Sequence, residues 1–301
     1  MNYCVILTLF LQLFPSHFPQ EYLTRADEGL RGPVHTVRWV RTSRISGGAN
    51  SGEEYESDPI IFTFVYDRVG RLVEALTGDP NDEREYRGKR VYVFDSHGSL
   101  TASTWYGPSG KEVSRLTYVY DAARRPVRSS GVGYLPIGPP KRVKFTAHYA
   151  YTAAGKMIDS TVTEVSGGAA IMRDMFTYDA AGKFKEYESF IRDKRISKTT
   201  YEYDASGRLA RTVEQTFYQP SVETETYFYD GGGNLVEKDR YEEVLRSSGY
   251  REVYSYEFDT RGNWVRQNMS LEIYERDGTG KKIIMQLEPR DITRRTITYY
   301  E

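Results

Sequence analysis

One short pattern recurs eight times along the chain and constrains its fold more than any other feature. It consists of an aromatic residue and an aspartate, two further residues, a glycine, then a polar and an apolar residue. The copies are YDRVGRL (Tyr66 to Leu72), FDSHGSL (Phe94 to Leu100), YDAARRP (Tyr120 to Pro126) and YTAAGKM (Tyr151 to Met157). They continue as YDAAGKF (Tyr178 to Phe184), YDASGRL (Tyr203 to Leu209), YDGGGNL (Tyr229 to Leu235) and FDTRGNW (Phe258 to Trp264). Their leading aromatics lie 28, 26, 31, 27, 25, 26 and 29 residues apart. Self-similarity at a near-fixed period marks a repeat architecture, in which each unit completes its core against its neighbours.

Each copy reads as a strand running into a turn. A second aromatic stands two residues before the first: Phe64 and Tyr66, Tyr92 and Phe94, Tyr118 and Tyr120, Tyr149 and Tyr151. Phe176 and Tyr178, Tyr201 and Tyr203, Tyr227 and Tyr229, and Tyr256 and Phe258 repeat the spacing. Spacing by two puts both rings on one face of a strand, whereas a helix would turn them about 200° apart. The alternate positions, Val65, Val93, Val119, Glu202, Phe228 and Glu257, form a mixed and often polar second face.

The Asp-x-x-Gly segment predicts a tight hairpin. The aspartate accepts hydrogen bonds from backbone donors just ahead of it. The glycine takes positive φ, as in a type I turn followed by a G1 bulge. Arg124 holds the glycine position in the third copy and Pro126 follows it. A side chain at positive φ costs on the order of 1 kcal/mol, so a distorted or loosened third hairpin is expected. Thr152 replaces the aspartate of the fourth copy, a milder departure.

Eight hairpins make about sixteen strands. Val34 to Val40 reads as an opening strand and Ile292 to Tyr300 as a closing one. Helical periodicity of any length is absent. A sheet with one aromatic face must cover that face, and no helices are on hand to do so. The expected fold is therefore all-β: an antiparallel meander of about eight hairpins in one curled or spiral sheet, with a closed barrel and a propeller-like arrangement as alternatives. Terminal strands would be exposed edges, and Arg38, Arg41, Arg294 and Arg295 are read as charges guarding them.

These motifs resemble the YD repeat of the Rhs family, which is also found in insecticidal toxin-complex proteins and in teneurins. The resemblance covers about residues 62–264. It implies long antiparallel sheets of hairpins that spiral into a hollow shell, with aromatic residues stacking between repeats. Nothing after Trp264 resembles the self-cleaving core that follows Rhs shells, and eight copies are fewer than a toxin-enclosing shell uses. The resemblance thus implies a short, stand-alone, secreted bacterial YD-repeat protein.

The first residues point the same way. Cys4 to Phe14 (CVILTLFLQLF) is apolar apart from Thr8 and Gln12. That is about half the ~20 residues of a membrane span and fits the apolar region of a signal peptide. The expected organisation is a signal peptide over residues 1–20 and a single β domain over 21–301. Cys4 is the one cysteine, so no internal disulfide and no cysteine zinc site can form. Lys and Arg number 41 against 42 Asp and Glu, giving a net charge of -1, which argues against nucleic acid as a partner. A transmembrane barrel is disfavoured, because many strands place Glu, Lys, Arg or Thr opposite their aromatic face.

No catalytic constellation emerges. The histidines, His17, His35, His97 and His148, lack zinc-ligand spacing, and no Gly-x-Ser-x-Gly elbow occurs. Each turn offers one carboxylate about 27 residues from the next, unlike a calcium loop with its clustered oxygens. Asp79, Asp82 and Glu83 read as a solvated loop. No cofactor, no metal and no enzyme activity are expected. Two features suggest a binding surface: the apolar loop from Gly131 to Pro140, with Tyr134, Leu135 and Ile137, and the set Trp105, Tyr106 and Trp264. Loops of this kind more often fold over a core, and strand aromatics more often form it.

The functional expectation is a secreted, periplasmic or cell-surface binding module for extracellular carbohydrate or protein. Its candidate ligand-binding residues are Trp105, Tyr106, Tyr134 and Trp264, and no membrane span remains once the signal is removed. The alternatives are a structural, envelope-associated scaffold and a shell remnant or partner from a polymorphic toxin system.

Overall fold

The computed structural model describes residues 29–301 apart from 47–53, 80, 83–86, 135–141, 166–169, 218–219, 243–247, 278 and 280. The expected signal peptide, and Leu135 and Ile137 of the apolar loop, lie outside the described residues. Strand β1 (Val34–Ser46) opens the fold, and a short β2 (Glu54–Glu56) pairs back on its end. Eight antiparallel hairpins follow, one per sequence copy. They are β3 (Ile60–Tyr66) with β4 (Leu72–Thr77), β5 (Gly88–Phe94) with β6 (Leu100–Tyr106), β7 (Glu112–Tyr120) with β8 (Pro126–Tyr134), and β9 (Arg142–Tyr151) with β10 (Met157–Glu164). The series continues with β11 (Ala170–Tyr178) and β12 (Phe184–Ile191), β13 (Lys194–Tyr203) and β14 (Leu209–Thr216), β15 (Ser221–Tyr229) and β16 (Leu235–Glu242), and β17 (Ser248–Phe258) and β18 (Trp264–Arg276). Strand β19 (Lys282–Tyr299) ends it.

The sheet closes on itself. From β3 onward each strand pairs with the next, and β1 pairs with both β3 and β19. Its register runs from Thr36↔Val65 to Arg41↔Ile60 on one side and from Val34↔Tyr299 to Ser43↔Asp291 on the other. The expected curled or spiral sheet is therefore corrected to a closed antiparallel barrel of eighteen strands, β1 with β3 to β19. The unbroken pairing also excludes a propeller. Closure removes two sheet edges and satisfies their backbone groups, which an open spiral would leave bare. The four terminal arginines are not edge guards. Arg38 bonds Asp79 at 3.0 Å, and Arg41 pairs with Asp291. The Arg295 guanidinium lies 3.4 Å from the ring centre of Trp264 and 4.3 Å from that of Trp39, filling the seam between the first and last strands.

Register and burial place the aromatic face inside. Phe64, Tyr66, Tyr92, Tyr149 and Phe176 are buried, while their alternates Val93, Val119 and Phe228 are exposed. The outer wall carries cross-strand ion pairs: Lys89 with Glu74, Arg173 with Asp159, Lys198 with Glu186, Arg195 with Glu188, and Arg251 with both Glu237 and Glu272.

The repeat motif works between copies as well as within them. The leading tyrosine of one copy donates its hydroxyl to the carbonyl of the first strand residue after the turn in the copy before. Tyr120 reaches Leu100, Tyr151 reaches Pro126 and Tyr178 reaches Met157, each at 2.7 Å, and Tyr229 reaches Leu209 at 2.9 Å. Phe258 has no hydroxyl, and Tyr256 supplies the bond to Leu235 at 2.8 Å. In five copies the basic residue that follows the turn's positive-φ position completes the link. Arg71, Arg125, Lys156, Lys183 and Arg208 lie over the rings of Phe94, Tyr151, Tyr178, Tyr203 and Tyr229, the leading aromatics of the next copies. Such contacts are worth about 0.5–1 kcal/mol each at partly exposed sites.

The third hairpin is not loosened. Arg124 adopts φ 59°, within the region the turn glycines use, and keeps the turn bonds: its N–H donates to Asp121 O at 3.0 Å, and the Asp121 N–H to Arg125 O at 2.9 Å. The expected distortion is replaced by a strained backbone of regular shape, held by pairing on both flanks. The same turn also appears where the repeat was not read. Gly107 to Lys111 and Asp277 to Lys281 close their loops with the matching backbone bond.

Candidate functional site

Strands β14 to β17 carry a run of charge on the inner wall. Near the turns, the inward positions of β15 and β17 are aromatic. Farther along these four strands, toward the opposite end of the barrel, Glu and basic residues take over. On β15 the inward series reads Tyr229, Tyr227, Glu225, Glu223, and on β17 Tyr256, Tyr254, Glu252, Tyr250. Two-residue spacing keeps each series on one face.

Pairing assembles these residues into rows. Glu214 on β14 is directly opposite Glu223 on β15, which is directly opposite Glu242 on β16. Like charges directly across strands destabilise a sheet, so this row is not there to hold the fold together. The adjacent row runs from Thr212 through Glu225, Arg240 and Tyr250 to Ile273, and the next contains Lys238, Glu252 and Leu271. Arg240 pairs with Glu223 and lies 4.0 Å from Glu225. Lys238 bonds Glu225 at 2.6 Å, and Tyr254 donates its hydroxyl to Glu252.

A cavity of about 570 Å³ opens against these rows, lined by Arg41, Glu223, Arg240, Glu242, Tyr250 and Glu252 and by an apolar strip of Met269, Leu271 and Ile273. That volume lies within the ~300–1,000 Å³ range of small-molecule pockets. Burial, and then the Glu223 and Glu225 carboxylates, push the Glu214 carboxyl above its usual value. Burial also raises Glu223, although Arg240 opposes the shift. Burial alone would lower Lys238, but the Glu225 carboxylate holds it above the ordinary lysine range. Among the described residues no three His, Cys, Asp or Glu side chains converge as metal ligands.

The residues expected to bind ligand do not form this pocket. Trp105 and Tyr106 end β6, where the Arg90 guanidinium lies 5.9 Å from the Trp105 ring centre. Trp264 begins β18 at the turn end, stacked with Arg295 in the seam, and five strands separate it from β6. Tyr134 closes β8 beside residues outside the described set. Sequence reasoning passed over Glu214, Glu223, Glu225, Glu242 and Glu252. The available signal was the alternation in VETETYF, which puts Glu223 and Glu225 on the same face as Tyr227.

No family model and no curated protein matches the chain. Among solved structures it is similar to a porin-like protein from Bacteroides uniformis, at 12% identity and a TM-score of 0.42, over 88% of this chain and 96% of that one. A porin-like protein from Bacteroides vulgatus matches at 14% identity and a TM-score of 0.36, over 90% and 99% of the two chains. The Tc holotoxin pore of Photorhabdus luminescens matches at 13% identity and a TM-score of 0.33, over 76% of this chain and 15% of that one.

Proposed function

We propose that this chain is a non-enzymatic binding module of the cell envelope that holds a carbohydrate, or a segment of a surface protein, in the pocket formed by β14 to β18. The carrying observation is the row Glu214, Glu223, Glu242 beside a 570 Å³ cavity. A fold gains nothing from facing carboxylates, and a ligand-binding wall does. Export is supported by the apolar run from Cys4 to Phe14. The outer wall of ion pairs supports a barrel standing in water, since a barrel set in lipid needs an apolar outer band. Tryptophan fluorescence of the purified chain against a broad glycan panel tests the carbohydrate reading, and silence across the panel sinks it. Cell fractionation with intact-mass analysis tests export, and a full-length cytoplasmic protein contradicts it.

A scaffold role has one observation in its favour. Ile283, Ile284 and Met285, where β19 begins, are all strongly exposed. Contiguous exposed apolar residues mark contact surfaces. Self-association at micromolar concentration, measured by sedimentation, would support this second reading.

A further inference from the structure

The pocket's charges are not balanced. Three carboxylates line it, Glu223, Glu242 and Glu252, against two cations, Arg41 and Arg240. Both cations are already engaged, Arg240 by Glu223 and Arg41 by Asp291. Glu214 is only partly offset by Arg240, which Glu223 already engages, and Glu214 and Glu242 flank Glu223 in the row of facing carboxylates.

A second observation comes from the inner wall beside the cavity. Asp291 is 5% exposed, and it stands on the inner face directly across from Met269. Its Oδ2 accepts from Arg41, while its buried Oδ1 has no hydrogen-bond partner. Arg41 and Met269 both line the cavity. A buried carboxylate oxygen left without a donor costs more than the bond it lacks would contribute, so the site is incomplete as it stands.

We infer that the pocket is specific for a ligand bearing a primary ammonium group on a body with an apolar face, such as an unacetylated amino sugar. The inference rests on the binding reading above and names its ligand class. An ammonium brings three donors and one positive charge, which answers an excess of acceptors and of negative charge together. A bare metal ion would need several carboxylates converging on one point, and the described side chains do not converge in that way. Met269, Leu271 and Ile273 offer the apolar wall against which the C–H face of a pyranose ring can lie. On this stretch of inner wall Glu214, Glu223, Glu225, Glu242, Glu252 and Asp291 stand with Arg41, Lys238, Arg240 and Arg295, so carboxylates outnumber cations.

Isothermal titration of the purified full chain at pH 7 with glucosamine, N-acetylglucosamine, glucose, n-hexylamine and calcium chloride tests this. Glucosamine should bind at least tenfold more tightly than glucose and N-acetylglucosamine, and hexylamine should compete with it. Glu242→Gln should weaken glucosamine at least fivefold, whereas Glu202→Gln on the outer wall should leave it unchanged. Both variants are checked by circular dichroism. In the unmodified chain, binding should weaken as the carboxylates protonate in acid. Equal binding of the three sugars overturns the ammonium preference and leaves the binding reading standing. Hexylamine binding without glucosamine binding keeps the ammonium preference and removes the carbohydrate reading. Calcium displacing glucosamine makes this a metal site and overturns the inference, and no response to any probe overturns inference and pocket together.

Discussion

The guanidinium of Arg208 lies 4.9 Å from the ring centre of Tyr229, one copy further along the chain, while its Nε donates to Asp204 of its own turn at 2.7 Å. One side chain thus ties a turn shut and locks the next repeat onto it. Tyr229 answers by donating its hydroxyl to Leu209 O. The two components can be separated. Tyr229→Phe keeps the ring and should cost about 1 kcal/mol for the lost hydrogen bond. Tyr229→Leu also removes the ring and should cost about 0.5–1 kcal/mol more. Urea midpoints of the two variants measure the difference, and equal costs would mean that the stacked cation contributes nothing.

Arg124→Gly should stabilise the chain by about 1 kcal/mol. Arg124 is held at φ 59°, where a β-carbon is unfavourable, and seven other copies place glycine there. Its hydrogen bond to His97 O is long, at 3.4 Å, so little is lost with the side chain. A lower urea midpoint for the variant would contradict this account of the third turn.

Phe176→Tyr should also stabilise, by about 1 kcal/mol. The hydroxyls of Ser129 and Tyr149 meet at 2.8 Å across neighbouring copies. Ser160 and Phe176 occupy the corresponding positions one copy later, and Ser160 is buried with no partner for its Oγ. A tyrosine ring in the place of Phe176 carries the missing hydroxyl to it. Ser160→Ala, made alone, should be close to neutral, and a large loss from that change would rule out the explanation.

Two sets of carboxylates shift in opposite directions and predict a stability maximum below neutral pH. Backbone N–H groups and then the arginine side chains hold Asp121 and Asp204 below the ordinary value of 3.8, and Asn234 does the same for Asp230. Their contribution is fully present above 3.8 and is lost as pH falls through the lowered values. Glu214 and Glu223 are raised above 4.5, so their neutral forms favour the fold. That contribution is complete below 4.5 and is lost as pH rises through the raised values. Stability should therefore rise modestly from pH 7 toward 5 and fall below about 3.8. Glu214→Gln should flatten the first limb and leave the second, as urea midpoints across that range would show.

The hairpins were legible in the sequence because their signal is local. Two aromatics two residues apart, then Asp-x-x-Gly, specify a strand and a turn within about seven residues. The opening and closing strands were legible for the same reason, and they complete the eighteen. Their mutual pairing was not. Trp39↔Arg295 joins residues at opposite ends of the chain, and no local period encodes it. The cation that ends five of the turns was visible as a polar residue, but its ring lies one copy away. The pocket was hidden differently. The position of Glu225 holds Arg90 and Asp174 in two earlier copies, while the positions of Glu214 and Glu223 hold aromatic, apolar or small residues there, so only a comparison of copies position by position exposes the cluster. Trp105 and Trp264 lie away from this pocket, and a tryptophan in a strand is as readily wall as platform.

Closure of the barrel is the premise of everything above, and a designed cross-link tests it most directly. Val40 and Arg294 are paired across the β1–β19 seam, and Val40 and Ile61 across β1–β3. In a Cys4→Ser background, Val40→Cys with Arg294→Cys should oxidise to an intramolecular disulfide in the native state, as readily as the control pair Val40→Cys with Ile61→Cys. Non-reducing mass spectrometry of peptides reads both. A control pair that oxidises while the seam pair stays reduced would mean that the sheet is open, and the inner pocket would lose the wall that Arg41 provides.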